Sequence, residues 1–540
     1  MAVNKYIGNT RNCFDKAVHD YGYLLAAMVV LLMGLLLGVK YLSQSPAFIH
    51  AWAQADHYAL AVCFTDNGHD FFHPETMVCN KQFPHTWMVD DGNAVTAVDF
   101  PIHEYLIGWL MTLFGTTAPW VFRAFTLLIS LIGIWFLFAA ARELTDDSLK
   151  SLLPPMVALT SPLYAYYFAS YLPSAPALAL SMAGLWAYAR YYKKGKLVYW
   201  HLAIAMMALA TLIRTSQAVM LVAVCGFELL RVFRRETSMW NKVPSVAAAA
   251  VAIVGYMLWN AHLRNEYGSL FLNYLLPPRD WDDVHVVFNE IHWHWRFDYF
   301  SQIQHWIVAL ACVAALVSVL WCKFRRKGNA DAQGTEQGAG ALSLWWLAAI
   351  WWLGELFFFA AMFRQYQNHD YYFLDSFFLP ILFVLILSLK ALPRMKGVAA
   401  VISLAVLVLL GGTMFNEAKH KVADRCWEGD RAYITSQRFE GSDQWLDGLG
   451  VPRDARILAF LAYPQNGPLL QMGRKGYSVI EYDENIVGAA LRFPFDYIVM
   501  ENENYEQYIA EHDDMFTRMS ERVADNGTLS LFILHTDEKP

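Results

Sequence analysis

Long apolar runs are the dominant pattern along the chain. About eleven of them are long enough to cross the hydrocarbon core of a bilayer as helices. Backbone polar groups in lipid must be satisfied within their own segment, so each run is predicted to be a helix. The runs lie near 22–42, 118–141, 151–171, 174–192, 199–213, 216–232, 244–262, 303–322, 343–362, 372–391 and 396–415. The pattern predicts a polytopic α-helical membrane protein.

Basic residues are concentrated in every second loop between these predicted spans. They are Lys5, Arg11, Lys16, Arg142, Lys150, Lys193, Lys194, Lys196, Arg231, Arg234, Arg235, Lys242, Lys323, Arg325, Arg326, Lys327, Lys390, Arg394 and Lys396. Because Lys and Arg are enriched in cytoplasmic loops, these loops and the N-terminus are predicted to be cytoplasmic. An odd number of spans then places the C-terminus outside. No small-residue cleavage site follows the first span, so we expect a retained signal-anchor.

Three long polar segments fall on the predicted outer side, namely loop 43–117, loop 263–302 and the tail. Within the first loop, Tyr105–Phe114 is apolar but too short to span comfortably, and it is predicted to be an interfacial or re-entrant helix. On the cytoplasmic side, loop 328–341 has the polar composition of a flexible linker. The chain therefore divides into a membrane domain, 1–415, and a soluble extracytoplasmic domain, 416–540.

The tail has the pattern of a small α/β domain. Short apolar runs typical of strands occur at Arg456–Ala462, Tyr477–Glu481, Asp496–Met500 and Thr528–His535. Helical periodicity occupies 438–449 and 503–525. The alternation of the two patterns predicts a sheet with packed helices.

Composition agrees with a chain solvated largely by lipid. Of the 540 residues, 56% are hydrophobic and only 16% are charged, well below the share of charged residues in soluble domains. No basic patch interleaved with aromatic residues points to a nucleic acid. Cys63 and Cys79 share one outer loop and could form a disulfide in an oxidising compartment, although Cys426 would then be left over on that side.

Acidic and histidine residues of the first outer loop are candidates for chemistry. Asp56 could act as a general base close to the membrane surface, or be an ordinary loop acid or helix cap. Asp99 could be the N-cap of the interfacial helix, or a second acid or metal ligand facing Asp56. Together with His57, His103 and Glu104, these residues have ligand types suited to a divalent cation but no diagnostic spacing. A divalent metal ion is therefore an open possibility.

Arginines at predicted outer span ends are candidates for binding a phosphate. Arg214 lies between two apolar runs, where a cation either meets an anion or snorkels to water. Arg364 precedes His369-Asp370-Tyr371-Tyr372, a segment that could bind a sugar or belong to an interfacial aromatic belt. Arg123, at the start of the second span, could line a pocket or anchor a lipid headgroup.

The order of several motifs resembles a known family. A single span is followed by Trp52–Ala61, Asn67–Pro74 and Asp99–Leu110, and later by His369-Asp370-Tyr371-Tyr372 and by a tail with Asn466 and Arg474-Lys475-Gly476. This order resembles the GT-C superfamily of bacterial membrane glycosyltransferases, which includes aminoarabinose transferase and protein O-mannosyltransferases. The resemblance covers essentially the whole chain, although each motif is short.

The resemblance implies roles for the candidate residues. Asp56 would be the catalytic base, and Asp99 would be the acid that closes the first outer loop. Arg214 and Arg364, with Arg123 as a further candidate, would hold the phosphate of a polyprenyl-phosphate donor. His57, His103, Glu104, His369, Asp370, Tyr371 and Tyr372 would contact the sugar or the acceptor. Many relatives have Asp after Pro where this chain has Pro173-Ser174-Ala175, so that carboxylate is lost or replaced elsewhere.

The expected function is sugar transfer at the outer face of a bacterial inner membrane. A polyprenyl-phosphate-linked sugar would be the donor, and a lipid, a glycan or a protein would be the acceptor. A transporter or flippase of lipid-linked saccharides is the main alternative, but it predicts repeat symmetry, which the sequence does not clearly show. A partner-binding assembly protein is a third alternative, for which this many spans exceeds what anchoring requires.

Overall fold

The computed structural model of the chain describes residues 21–80, 93–329, 342–482, 484–510 and 514–535. Three of the basic residues predicted to face the cytoplasm, Lys5, Arg11 and Lys16, lie outside these ranges. So does most of the predicted linker 328–341. The sidedness of the membrane domain therefore stays a prediction.

Fifteen helices form the membrane domain and its first connecting loop, in the part of the chain that is described. They are α1 Tyr21–Tyr41, α2 Ala51–Asp66, α3 Ile102–Phe114, α4 Pro119–Thr145, α5 Ser148–Leu159, α6 Pro162–Tyr167, α7 Ser174–Lys194, α8 Leu197–Ile213, α9 Ala218–Phe233, α10 Val243–Tyr267, α11 Trp281–Glu290, α12 Gln302–Asn329, α13 Leu344–Ala361, α14 Phe378–Ala391 and α15 Val398–Asp424. Shorter helical turns occur at Thr215–Gln217, Ile291–Trp295, Arg296–Tyr299, Gln365–Asn368 and Tyr371–Asp375.

Every predicted span falls on a helix, and the prediction of a polytopic membrane protein is confirmed. Among the described residues, seven helices are long and apolar enough to cross a membrane, and three shorter ones are apolar. The predicted span 151–171 is two helices, because the chain breaks at Thr160 and Ser161 before Pro162. The predicted span 372–391 likewise divides at Ser376.

The helices pack closely inside and expose apolar side chains outside. Gly133 of α4 lies so close to α7 that a Cβ atom there would stand 2.5 Å from the Ala179 Cβ. On the exterior, Val251, Phe357 and Leu409 are 74%, 78% and 71% exposed. A continuous apolar exterior of this kind is stable in lipid and not in water.

A small domain with one five-stranded sheet follows α15. Its strands are β1 Ile457–Phe460, β2 Gly476–Val479, β3 Tyr497–Glu501, β4 Ser520–Asp525 and β5 Leu529–Leu534, in the spatial order β2-β1-β3-β5-β4. Its helices are α16 Arg431–Arg438, α17 Ser442–Gly448, α18 Asn466–Met472, α19 Glu484–Ala490 and α20 Asp514–Met519, with short turns at Asn502–Asn504 and Tyr505–Ile509. The four predicted strands are present, and β4 lies where a helix was predicted. This edge strand, Ser-Glu-Arg-Val-Ala-Asp, is mostly exposed and has no apolar face to mark it.

The first long loop is built into this domain. Val78 forms a parallel bridge with Gly476 at the β2 edge of the sheet, and the Asn80 side chain bonds both the N–H and the carbonyl of Ser478. A side chain at Gly476 would meet the Ile457 carbonyl oxygen at 1.9 Å, so only glycine allows this approach. Loop and domain therefore share one core, and the side of the bundle that carries them is called here the domain face.

The first loop differs from the sequence expectations in two places, the N-cap of α3 and the Cys63–Cys79 pair. Helix α3 confirms the predicted short helix, but Pro101 occupies its N-cap position, so the N-cap interpretation of Asp99 is wrong. The side chain of Asp99 is thereby available for other contacts. No disulfide joins Cys63 to Cys79, and the Cys63 thiol instead donates to Met77 Sδ at 3.5 Å.

Candidate active site

Asp56 lies on the side of α2 that faces the C-terminal domain. Alanines at positions 51, 55 and 59 leave α2 narrow, and Asp56 itself is only 3% exposed. Asn466 Nδ2 donates to Asp56 Oδ1 at 2.8 Å, while Asn466 Oδ1 accepts from the backbone N–H groups of Met77 and Val78. Burial raises the pKa of the Asp56 carboxyl to about 7, against the opposing hydrogen bond from Asn466. One amide side chain thus joins α2, the first loop and the domain.

His57, the next residue on α2, points instead toward α3. Its Nδ1 lies 2.7 Å from Glu104 Oε1, and its ring packs 5.1 Å from that of Phe271 in the second long loop. His103 shares a hydrogen bond with Thr126 Oγ1 at 3.1 Å and stands 3.9 Å from Glu104. Burial alone would raise the pKa of the Glu104 carboxyl, but the two histidines outweigh it and hold that pKa well below its usual range. Glu104 is therefore an ionised group that orients His57.

Asp99 is held beside the end of α8. The N–H of Phe100 donates to the Leu212 carbonyl at 3.0 Å, two residues before Arg214, and the Tyr256 hydroxyl donates to the Val98 carbonyl at 3.1 Å. The Asp99 side chain is half-buried. Burial raises the pKa of the Asp99 carboxyl to about 6, although Arg214 and His57 oppose the rise. A carboxylate with this pKa can accept a proton near neutral pH.

Arg214 is fixed by an acid and two aromatic rings. Its Nε donates to Asp375 Oδ2 at 2.9 Å, and its Nη2 donates to the same oxygen. The guanidinium carbon stands 5.6 Å from the Tyr371 ring and 5.9 Å from the Tyr372 ring. Asp375 thus occupies the Nε–Nη2 edge of the guanidinium, and no hydrogen bond among the described residues uses Nη1. A side chain held in this way is oriented for an anion without first losing rotamer freedom.

His369 and Asp370 belong to a buried network behind these tyrosines. Asp370 Oδ1 accepts from the Tyr167 hydroxyl at 2.7 Å and pairs with His50 Nε2 at 3.0 Å, while Asp370 Oδ2 pairs with Arg425. His369 stacks on His50 with ring centroids 5.4 Å apart, and burial lowers the pKa of His369 to about 4. Asp370 therefore ties this segment to the end of α15 and is fully enclosed.

The other two predicted phosphate ligands lie in separate environments. Arg364 Nε donates to the Pro277 carbonyl at 3.0 Å and stands 3.9 Å from Asp283 Oδ2, within the second long loop. Arg123 Nη1 donates to the Gln44 carbonyl at 3.2 Å near the end of α1. Neither shares a described hydrogen bond or ion pair with Arg214.

The predicted residues thus separate into groups. Arg214, His57 and Glu104 act electrostatically on Asp99, and Arg214 and Asp99 act on Tyr372; these five residues are called here the Asp99 cleft. Asp56 is not among the strongest influences on the Asp99 carboxyl. Within the described residues, no three His, Cys, Asp or Glu side chains converge as a metal site, so the geometry gives no support to a metal shared by the two acids.

Several residues of the site carry no local sequence signal of their own. They are His50, Asp375 and Arg425, which pair with residues that were predicted. His50 adopts a left-handed backbone conformation, φ 58°, directly before α2. For His50, the only local feature that could have drawn attention is its position directly before α2. The others become neighbours of the site only through the packing of distant helices.

Asn466→Leu is expected to loosen the C-terminal domain from α2. The change keeps the side-chain size but removes the hydrogen bonds that Asn466 makes to Asp56 and to the backbone N–H of Met77, and each such buried group left unsatisfied costs about 1 to 3 kcal/mol. The temperature at which the domain becomes accessible to protease should fall by several degrees. Asn504→Leu, which removes a single hydrogen bond to the Leu461 carbonyl, is the matched control. An equal effect of both changes would refute the special role of Asn466.

Comparisons with known proteins show what the chain as a whole is similar to. The family model described as dolichyl-phosphate-mannose-protein mannosyltransferase matches residues 98–260, a segment that contains Asp99, Arg123 and Arg214. The crystal structure of ArnT from Cupriavidus metallidurans bound to undecaprenyl phosphate is similar, with a TM-score of 0.55 and 13% identity over 94% of this chain and 97% of ArnT. The cryo-EM structure of arabinofuranosyltransferase AftD from Mycobacteria aligns with a TM-score of 0.48 and 13% identity over 89% of this chain and 36% of AftD. No curated protein sequence matches the chain.

The likeness to ArnT extends over nearly the full length of both chains. The chain therefore shares the fold of ArnT, with a small domain after the last membrane helix. The fold that the resemblance in the sequence implies is confirmed.

Proposed function

We propose that this protein, with its GT-C fold, transfers a sugar from a polyprenyl-phosphate-linked donor to an acceptor at the domain face. The Asp99 cleft is the observation that supports the proposal, because a carboxyl that can accept a proton lies within electrostatic range of an oriented cation. We further propose that this face is periplasmic, in a bacterial inner membrane. A lipid, a glycan or a protein could each serve as the acceptor.

Arg214 is the proposed ligand of the donor phosphate. Its side chain remains 19% exposed, although Asp375 holds one edge of the guanidinium. The ends of two apolar helices, α8 and α9, flank it, so a phosphate on a membrane-embedded polyprenyl chain can reach it from the bilayer. Charge that develops on the leaving phosphate would meet a cation that is already in place.

Asp99 is the proposed general base, in preference to Asp56. Both carboxyls have raised pKa values, but Asp99 is half-buried beside Arg214, whereas Asp56 is enclosed under Asn466. A general base must come within hydrogen-bond reach of the acceptor hydroxyl or amine, and the enclosed position of Asp56 leaves less room for that approach. Asp56 is instead assigned to joining α2 with the C-terminal domain.

The proposed reaction is a direct displacement. The acceptor oxygen or nitrogen attacks the anomeric carbon, and the bond from that carbon to the phosphate oxygen breaks. The proton of the acceptor passes to Asp99, and polyprenyl phosphate leaves with the electron pair, opposite Arg214. His57, oriented by Glu104, and the rings of Tyr371 and Tyr372 border the space proposed for the sugar. Aromatic rings and imidazoles are suited to packing on sugars and bonding their hydroxyls.

The activity should fall at acidic pH. A base must be unprotonated to act, and the pKa of Asp99 is raised to about 6, so kcat/KM should drop about tenfold per pH unit below that value. The pH profile of wild-type enzyme in vesicles measures this. The profile of Asp56→Asn should keep the same acidic limb. If that limb disappears in Asp56→Asn, it belongs to Asp56, and the assignment of the base to Asp99 fails.

Purified protein in vesicles tests the function as a whole. Wild-type protein supplied with polyprenyl-phosphate-linked hexoses and pentoses should release polyprenyl phosphate, and a suitable acceptor should accelerate the release. Movement of the intact donor from one leaflet to the other, with no release of polyprenyl phosphate from any donor, would instead identify a flippase and overturn the proposal.

A further inference from the structure

Arg123 occupies an enclosed position at the start of α4. The residue is 8% exposed, its Nη1 donates to the Gln44 carbonyl, and its guanidinium carbon stands 5.3 Å from the ring of Tyr171. Its Nε atom is buried and has no hydrogen-bond partner. In the described part of the chain, no carboxylate oxygen lies within 4.0 Å of it. A buried cation with an unsatisfied donor is unfavourable unless an anion completes its surroundings.

The other two arginines proposed for phosphate already have acidic neighbours. Arg214 pairs with Asp375, and Arg364 lies 3.9 Å from Asp283. Arg123 has the Gln44 carbonyl and the ring and hydroxyl of Tyr171 beside it, but no acid among the described residues. Of the three, it is therefore the arginine whose surroundings most need a negative charge from outside the described chain.

A pocket in front of Arg123 could admit such an anion. It is bordered by the end of α1 at Gly38 and Tyr41, by Phe168 after α6, and by Val422 and Cys426 at the end of α15. Gln44, Ser45 and Gln54 add polar atoms to the lining. Lys40 contributes positive charge, since it and Arg123 both act electrostatically on the Cys426 thiol.

The pocket lies where the bilayer interface is expected. Its walls are the ends of membrane helices, and the neighbouring Trp427 is 69% exposed, as is typical of the aromatic belt at a membrane surface. A lipid headgroup in that belt could enter between α1 and α15 without leaving the bilayer. A free anion would have to enter from water.

We propose that the Arg123 pocket is a second anion site, separate from the Asp99 cleft, that binds a phosphate group carried by a membrane lipid. A phosphate can accept from the unpaired Nε and an adjacent Nη of one guanidinium, which a single carbonyl cannot match. The residues that line the Arg123 pocket include none of those that define the Asp99 cleft. The inference concerns binding alone and does not require the proposed transfer reaction.

Native mass spectrometry of the full chain from phosphatidylcholine nanodiscs can count bound lipids. The probes are undecaprenyl phosphate, phosphatidic acid and, as the water-soluble source, inorganic phosphate. The variants are Arg123→Met, the charge-preserving Arg123→Lys, and Arg142→Met as a matched control. Arg142 is also 8% exposed, lies at the other end of α4, and donates from Nε to Ser148 Oγ at 2.9 Å.

Arg123→Met is expected to bind one equivalent of phosphate lipid fewer than the wild type, with that equivalent weakened by about tenfold or more. Arg123→Lys should retain it in part, and Arg142→Met should match the wild type. Loss of undecaprenyl phosphate alone would identify a polyprenyl carrier, and loss of phosphatidic acid as well would identify a general headgroup site. Unchanged binding in Arg123→Met, equal losses in both Met variants, or a site that inorganic phosphate alone occupies would overturn the proposal.

Discussion

Asp99→Asn is expected to lower kcat/KM for sugar transfer by about a thousandfold, the range in which general bases contribute. The amide keeps the size of the side chain and its place beside Arg214, but it cannot accept the proton of the acceptor. The loss should appear in kcat, because donor binding relies on Arg214 and the helices around it. Initial rates in vesicles at pH 7.5 or above measure it, where Asp99 is ionised in the wild type.

Asp56→Asn is the matched control for this change. Both acids belong to the first long loop and have raised pKa values, and an amide at position 56 can still accept the hydrogen bond from Asn466. Its transfer rate should stay within about threefold of the wild type, because the asparagine keeps the hydrogen bond from Asn466 and should lower the stability of the protein little. A large loss in Asp56→Asn together with a small one in Asp99→Asn would exchange the roles of the two acids.

Arg214→Gln is expected to lower kcat/KM by a few hundredfold, about the effect of removing one preorganised donor from a developing oxyanion. The substitution removes the charge opposite the proposed donor phosphate and frees Asp375, whose Oδ1 atom already lacks a partner. Arg214→Lys should recover only part of the rate, because an ammonium cannot keep the two-donor contact with Asp375 and also serve the phosphate. Kinetics with a fixed acceptor and a varied donor concentration measure both effects.

Arg364→Gln serves as the control for the loss of an arginine at the domain face. Arg364 contacts the Pro277 carbonyl and Asp283 rather than the Asp99 cleft, so its removal should change kcat/KM by less than about threefold. If the two substitutions reduce the rate equally, the donor phosphate is not held at Arg214 in the manner proposed.

The membrane helices were predictable because an apolar run in lipid can satisfy its backbone polar groups only by forming a helix. The thickness of the hydrocarbon core sets the approximate bounds of a span, and the need for internal hydrogen bonds makes it helical. The breaks at Thr160 and at Ser376 were not predictable, because the apolar pattern continues across them. There the packing against neighbouring helices overrides the local pattern.

In the C-terminal domain, too, the local pattern predicts some elements and misses others. The buried strands β1, β3 and β5 have apolar runs that local pattern alone can recognise. Strand β4 has polar residues on an exposed edge, and its identity depends on pairing with β5. The bridge between Val78 and Gly476 was likewise beyond the sequence, because it joins segments about 400 positions apart.

The candidate residues were found in the sequence, but their grouping was not. Asp56 meets Asn466 across 410 positions, and Arg214 meets Asp375 across 161. Asp56 and His57 are neighbours in sequence, yet on a helix they diverge by about 100° and so serve different surroundings. A single sequence carries no sign of which distant partner each side will meet. The sequence alone therefore favours Asp56 as the base, whereas the surroundings of the two acids favour Asp99.

The most direct test of the Asp99 cleft separates donor binding from donor turnover. A single-turnover experiment would mix excess enzyme in nanodiscs with a radiolabelled polyprenyl-phosphate sugar, and would follow bound donor and transferred sugar together for wild type, Asp99→Asn and Arg214→Gln. The account predicts that Asp99→Asn binds the donor as tightly as wild type but transfers almost none of it, whereas Arg214→Gln transfers slowly and binds weakly. Wild-type transfer by Asp99→Asn, or unchanged binding and transfer by Arg214→Gln, would contradict it.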